Sequence, residues 1–255
     1  MIEEIQRADI WKRISAGLFD FIMTGILSVL FIFLLSALFG YNRANDSLKA
    51  KYSEYEQRHG VVFQITADEY DSYSPSERER WDAAYDDLAG DESVSALYTK
   101  VVNLTLLMTT FGILLAFLVW EFAVPLMIGN GQTVGKKVFG ICLMRTSTVK
   151  INALCLFIRT VLGKFTIETM IGVYIVIMIS FNAIGIIGSV ILILIPALNL
   201  IFFFSKGTRP LIHDLLADTC VVDYASQEIF ESEEALLEAK KALARERAEA
   251  RDRTY

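Results

Sequence analysis

Residues 14–40 read ISAGLFDFIMTGILSVLFIFLLSALFG, a membrane-length apolar run with one charge in it, Asp20. At least some 18 uncharged residues are needed to cross a bilayer as a helix, so this run is a transmembrane candidate. It is too long for a cleavable signal, follows a charged stretch, and has no small-residue cleavage site. A carboxylate at the centre of such a helix costs roughly 2.5–3.5 kcal/mol even on lenient insertion scales, which makes Asp20 a candidate functional residue. Arg13 lies two turns away on the same face, about 10 Å along the axis at 1.5 Å per residue.

The rest of the chain follows the same solvent logic. Of 255 residues 54% are hydrophobic, above the usual soluble range, and the mean hydropathy is positive at +0.43. The reading is an all-α membrane protein with about four transmembrane helices. The first spans 14–40 and the second 101–128. The apolar stretch after Phe165 is long enough for two more, at 165–181 and 184–204, turning at Asn182. Pro196 and Asn199 suggest a kink in the last.

Charge distribution sets the expected orientation. Residues 129–164 carry Lys136, Lys137, Arg145, Lys150, Arg159 and Lys164 with no acid, whereas 41–100 is rich in Asp and Glu. The positive-inside rule places 129–164 and the N-terminal residues 1–13 in the cytoplasm, and leaves 41–100 as an extracytoplasmic helical insert. In the insert, Leu48, Tyr52 and Tyr55 continue a helix towards Gly60, and Val61–Ile65 reads as extended. Thr66–Glu69 and Ser74–Glu77 read as capping boxes. The stripe of Trp81, Tyr85 and Leu88 either packs on the first two spans or docks a partner.

Within 129–164, the segment 151–164 reads as an amphipathic helix in the cytoplasmic interface. The glycines of Gly129–Gly135 allow positive φ in a turn after the second span. Lys136 and Lys137 are expected to meet anionic lipid headgroups. This run is one residue short of a phosphate loop and lacks its hydroxyl residue, so nucleotide binding is not supported. A closing segment, 205–225, leads to a charged helical tail, 226–255. Ile229, Leu236, Leu243 and Ala250 form a weak heptad seam there, for a solvated helix or a short coiled coil. Cys142, Cys155 and Cys220 are expected to be free thiols on the reducing side. No catalytic triad, zinc motif or CxxC occurs; the residues call for no enzyme, metal, cofactor or nucleic acid.

Depth arithmetic groups the acids. Asp20 and Glu121 both fall about 9–11 Å from the inner boundary of upright helices, and Glu168 lies near the inner end of the third span. Asp20, Glu121 and Glu168 are the candidate proton- or ion-binding groups. Arg13, Arg159 and Asp214 are the candidate gating or counter-charge groups. The same set could bind a proton or sodium in exchange, or brace the helices as a static network.

The motifs resemble the RDD family of bacterial membrane proteins. Arg13 and Asp20 in WKRISAGLFDFIM match the family's first arginine and aspartate. Asp214 in TRPLIHDLLADTCVVD matches its further aspartate. GNGQTVGKKVFGICLMR resembles its GQTxGK turn and following extended stretch, with Arg159 as the downstream basic residue. Asp218 stands where that pattern commonly has glycine, and the insert and tail exceed a minimal member. The resemblance implies a multi-pass protein of the bacterial cytoplasmic membrane with both termini cytoplasmic. Its implied activity is transport, including proton- or sodium-coupled exchange, with a regulatory or scaffolding subunit of a membrane-protein complex as the alternative. Expected partners are the bilayer's anionic headgroups at the cytoplasmic face, and further copies of the chain or another membrane protein.

Overall fold

A computed structural model describes residues 5–180, 186–204 and 210–252. The helices are α1 (Ile10–Phe39), α2 (Tyr41–His59), α3 (Ala67–Ser72), α4 (Pro75–Gly90), α5 (Glu92–Ile128), α6 (Val134–Val138), α7 (Ala153–Ile179), α8 (Ile186–Phe204), α9 (Ile212–Leu216) and α10 (Glu233–Asp252). Two strands, β1 (Ile141–Arg145) and β2 (Thr219–Asp223), pair antiparallel, with Ile141 opposite Asp223 and Arg145 opposite Thr219. Among the described residues four helices are long and apolar enough to cross a membrane: α1, α5, α7 and the Ile187–Phe204 part of α8. The protein is an all-α membrane protein with, among the described residues, one small two-stranded antiparallel sheet. The expected turn at Asn182 lies outside the described residues.

Two compact units make up the chain: Met1–Ser28 with Ile113–Tyr255, and Val29–Gly112. In the second unit, Gly40 (φ 67°) separates α1 from α2, and Gly60 (φ 63°) ends α2. Both capping boxes form: Glu69 accepts from the Thr66 N–H at 2.7 Å, and Glu77 from the Ser74 N–H at 2.8 Å. Leu88 of α4 packs on Leu48 and Tyr55 of α2 and on Val94. Trp81 and Tyr85 stack at 5.4 Å beside Phe63, and the Trp81 indole donates to the Val62 carbonyl at 3.0 Å. The aromatic stripe is therefore packed, but on α2 and the 61–65 connection. That connection is neither helix nor strand.

In the first unit the sheet is apolar on both faces, as expected of a strand pair covered on both sides. Ile141, Leu143 and Val221 join Ala8, Ala16 and Leu156, while Cys142, Met144, Cys220 and Val222 form the opposite cluster. Burial, acting first, pushes the Cys142 and Cys220 thiols up to about 12, which keeps them neutral. Cys155 is also a free thiol. The Asp223 N–H donates to the Gln6 carbonyl at 3.0 Å, tying the N-terminal segment to β2. Arg145–Glu233 and Lys150–Glu231 ion pairs at 2.8 Å tie down the start of the tail, after which α10 is largely exposed.

The expected interfacial helix at 151–164 is not a separate element: it is continuous with the apolar helix expected from 165. α7 is continuous from Ala153. Of the two residues that argued for a break, Arg159 is buried and Lys164 partly so, and each has a carboxylate partner within 2.8 Å. The second apolar helix likewise starts at Glu92, ahead of the expected 101.

Two helices depart from α winding. Leu118–Ala123 in α5 and Ile158–Met170 in α7 are π-helical. In α5 the cause is readable. Pro125 has no N–H to offer the Glu121 carbonyl four residues back, and the Thr160 hydroxyl of α7 donates to that carbonyl instead, at 3.1 Å. At Gly112 of α5 an added Cβ would sit 2.4 Å from Ile32 Cγ1 and 3.0 Å from its backbone nitrogen. A small residue is what lets two apolar helices approach this closely. Gly112→Val is expected to destabilise the protein by about 1–3 kcal/mol, the usual range for overpacking, read as a lower midpoint of thermal unfolding in detergent. Gly17→Ala, where an added Cβ meets nothing within 4 Å, serves as the neutral comparison.

Candidate functional site

α1 buries one stripe, Arg13, Ala16, Asp20 and Thr24, at spacings of three and four residues. Its apolar residues Leu18, Phe21, Ile22, Val29 and Phe33 are exposed, as lipid-facing positions would be. The buried stripe is thus the polar one. A buried charge needs partners, and the turn after α5 supplies them.

That turn is built from three consecutive positive-φ residues, Gly129 (89°), Asn130 (50°) and Gly131 (61°). Gln132 donates to the Ile141 carbonyl at 2.9 Å, and the Leu143 N–H donates to the Asn130 carbonyl at 3.1 Å, fixing the turn to β1. Thr133 then caps α6. Its hydroxyl accepts from the Lys136 N–H at 3.3 Å and donates its own hydrogen to Asp20 Oδ2. Asp20 Oδ1 accepts from the Gly135 N–H and from the Trp120 indole, each at 3.1 Å. Lys136 Nζ lies 3.4 Å from Asp20 Oδ2 and 3.9 Å from Glu121 Oε2. Lys164 Nζ closes on Glu121 at 2.7 Å. A Cβ at Gly135 would stand 2.7 Å from the Ala16 carbonyl and 2.8 Å from Asp20 Oδ1, so only glycine fits against α1 there.

A second cluster adjoins the first. Arg159 donates to Asp214 Oδ1 at 2.8 Å and to His213 Nε2 at 2.9 Å. An arginine has no acceptor, so His213 Nε2 must accept. Its proton is therefore on Nδ1, which donates to Glu168 at 2.8 Å. His213 is neutral in this arrangement. Asp214 also accepts from the Thr219 hydroxyl at 3.1 Å and the Leu211 N–H at 3.2 Å. Arg13 lies 4.0 Å from Asp214 and 5.0 Å from the Phe203 ring. The π winding of α7 matters here. At about 100° per residue in an α-helix, nine residues would put Arg159 and Glu168 on opposite faces; the wider i→i+5 turns bring them to the same His213 ring.

Burial raises the cost of the Asp214 charge, but the Arg159 guanidinium above all, with the Leu211 N–H and Arg13, outweighs it and holds the carboxyl at about 2. Burial, followed by the Arg159 charge, pulls the His213 imidazolium down against the opposing pull of Asp214 and Glu168. Lys136 is also pulled down by burial, with Glu121 and Asp20 acting in the other direction.

Several expected residues come together. Asp20 and Glu121 share Lys136, and Arg159 pairs with Asp214. Arg13 does not serve Asp20: it belongs to the Asp214 cluster. Glu168 serves His213. Lys136 is a correction. It is buried beneath the Thr133 cap and cannot meet lipid headgroups, whereas Lys137 is exposed. Sequence reasoning missed Trp120, Thr133 and His213; the TxxK cap and the histidine beside Asp214 were the available signals. Asp218 takes φ 50° and accepts from the Thr146 hydroxyl.

A sequence model of the RDD family matches residues 7–218, which contain every residue of both clusters except Thr219. Comparison with curated proteins and with solved structures gives no match.

The site makes a prediction about acid. His213 titrates lower folded than unfolded, so the unfolded chain takes up protons first as pH falls below about 6.5, its ordinary value. Stability from this group is complete above that value and is lost as pH falls towards the lowered one. The Asp214 contribution is lost only below its ordinary value, as pH approaches about 2. The thermal midpoint in detergent is expected to fall between pH 7 and 5, and His213→Asn is expected to flatten that slope. An unchanged slope in the variant would remove His213 as its source.

Proposed function

The chain belongs to the RDD family, and from that membership and the buried Asp20–Lys136 pair we propose a transport-related membrane protein working by proton exchange at that pair. The carrying observation is the polar stripe of α1. Arg13, Asp20 and Thr24 are all buried within a membrane-length helix, and the Thr24 hydroxyl, about 6 Å beyond Asp20 along the axis, has no hydrogen-bond partner among the described residues. A polar line continuing past the carboxylate is what proton movement through α1 would use. In this reading Asp20 is the proton-binding carboxylate of the exchange and Lys136, 3.4 Å away, is its counter-charge. Glu121 and Lys164 hold the balancing charge.

Sodium fits this pair less well. Sodium needs free oxygen ligands, and both Asp20 oxygens already accept from Thr133, Gly135, Trp120 and Lys136. Four spans are few for a carrier, so the transport reading includes a homo-oligomer. We place it in a bacterial cytoplasmic membrane with both termini inside, on the strength of the acid-free basic stretch 129–164; Lys137 is the headgroup-facing lysine.

A second reading has its own support. Asp20, Glu121 and Asp214 each have a cationic partner and Glu168 has His213, as a static brace requires. In that reading the chain is a regulatory or scaffolding subunit, and the acidic insert and exposed α10 contact a membrane partner.

Proton flux in proteoliposomes separates the two. Wild type is expected to move protons down an imposed gradient, and Asp20→Asn to fall to the empty-liposome rate while remaining monodisperse. Wild-type protein that moves nothing under proton, sodium or potassium gradients would overturn the transport reading and leave the brace.

A further inference from the structure

Between the two clusters lies a cavity of about 90 Å³, walled by Arg13, Lys136, Arg159 and Lys164 together with Asp20 and Asp214. One water needs only about 10–15 Å³ measured this way, so the space admits a group of several heavy atoms. Its bonding capacity is one-sided. The four cations are donors without acceptors. The two acids are committed: Asp20 to Thr133, Gly135, Trp120 and Lys136, and Asp214 to Arg159, Thr219 and the Leu211 N–H. His213, which also lines the space, has both ring nitrogens engaged. Lys164 has three N–H bonds and one ion pair, to Glu121 at 2.7 Å, so two donors remain. Its side chain is 18% exposed, the most accessible of the cluster's cations.

We propose that this cavity binds one tetrahedral oxyanion of the phosphate type, with Lys164 as its most accessible ligand and Arg159 and Lys136 lining the inner wall. A cation entering the same space would meet four cationic groups against two carboxylates that are already hydrogen-bonded, and a ligand without acceptors would leave the two remaining Lys164 donors unmatched. An acceptor-only group answers both. Two sources carry that chemistry, free phosphate and the phosphodiester of an anionic lipid. The inference stands on the cavity's charge and donors, independently of whether protons move through α1.

The test is equilibrium dialysis of radiolabelled inorganic phosphate against the full chain in phosphatidylcholine nanodiscs. One phosphate per chain is expected, displaced by sulfate. Lys164→Gln is expected to weaken binding about tenfold or more, the loss of one charge-assisted contact, and Lys150→Gln, whose partner is Glu231 of the tail, to leave it unchanged. Repeating the measurement with phosphatidylglycerol in the disc identifies the source: blocked binding means the lipid phosphodiester fills the site, and unchanged binding means the free anion does. No phosphate bound in phosphatidylcholine discs, or equal affinity in Lys164→Gln, overturns the proposal. If Lys164→Gln does not fold, wild-type stoichiometry and sulfate competition decide alone.

Discussion

A carboxylate inside a membrane-length helix must find donors, and much of the first unit is arranged to bring them to Asp20. The positive-φ turn at Gly129–Gly131 reverses the chain after α5. Thr133 caps α6 and aims its hydroxyl at the carboxylate. Gly135 lets the α6 backbone approach α1, and Lys136 is carried inward by the same cap. Removing one member of such a buried pair leaves an uncompensated charge, worth about 3–5 kcal/mol. The turn is therefore held by electrostatics as well as by the sheet behind it.

The two π-helical stretches extend that arrangement to α5 and α7. Pro125 releases the Glu121 carbonyl, Thr160 takes it, and the contact joins two widened helices at the level of the buried ions. Widening in α7 lets Arg159 and Glu168 reach the same imidazole. The β1–β2 pair supplies a rigid edge: Thr219 at one end of β2 donates to Asp214, and Ile141 at the start of β1 accepts from Gln132. Small backbone departures thus gather charges from α1, α5, α6, α7 and α9.

Much of this was legible in the residues. Asp20 declared itself by being the only charge in its run, and equal depth from the helix ends linked it to Glu121. The capping boxes at Thr66 and Ser74 followed from residue spacing and formed as expected. What misled was charge taken as a mark of solvent. Arg159 and Lys164 suggested a helix lying in the interface, and Lys136 a lysine facing lipid. All three are buried or nearly so because acids distant in sequence meet them. The π winding was also invisible, because helical periodicity is read at α spacing and the widened turns place residues where that spacing does not.

The central claim is that Asp20 and Lys136 depend on each other. A double-mutant cycle on thermal unfolding of the full chain in detergent tests it directly, with Asp20→Asn, Lys136→Gln and the pair combined. Mutual dependence predicts that each single change is strongly destabilising and that the double variant loses less than their sum, by about 1 kcal/mol or more. Losses that simply add would show two independent residues and contradict the account.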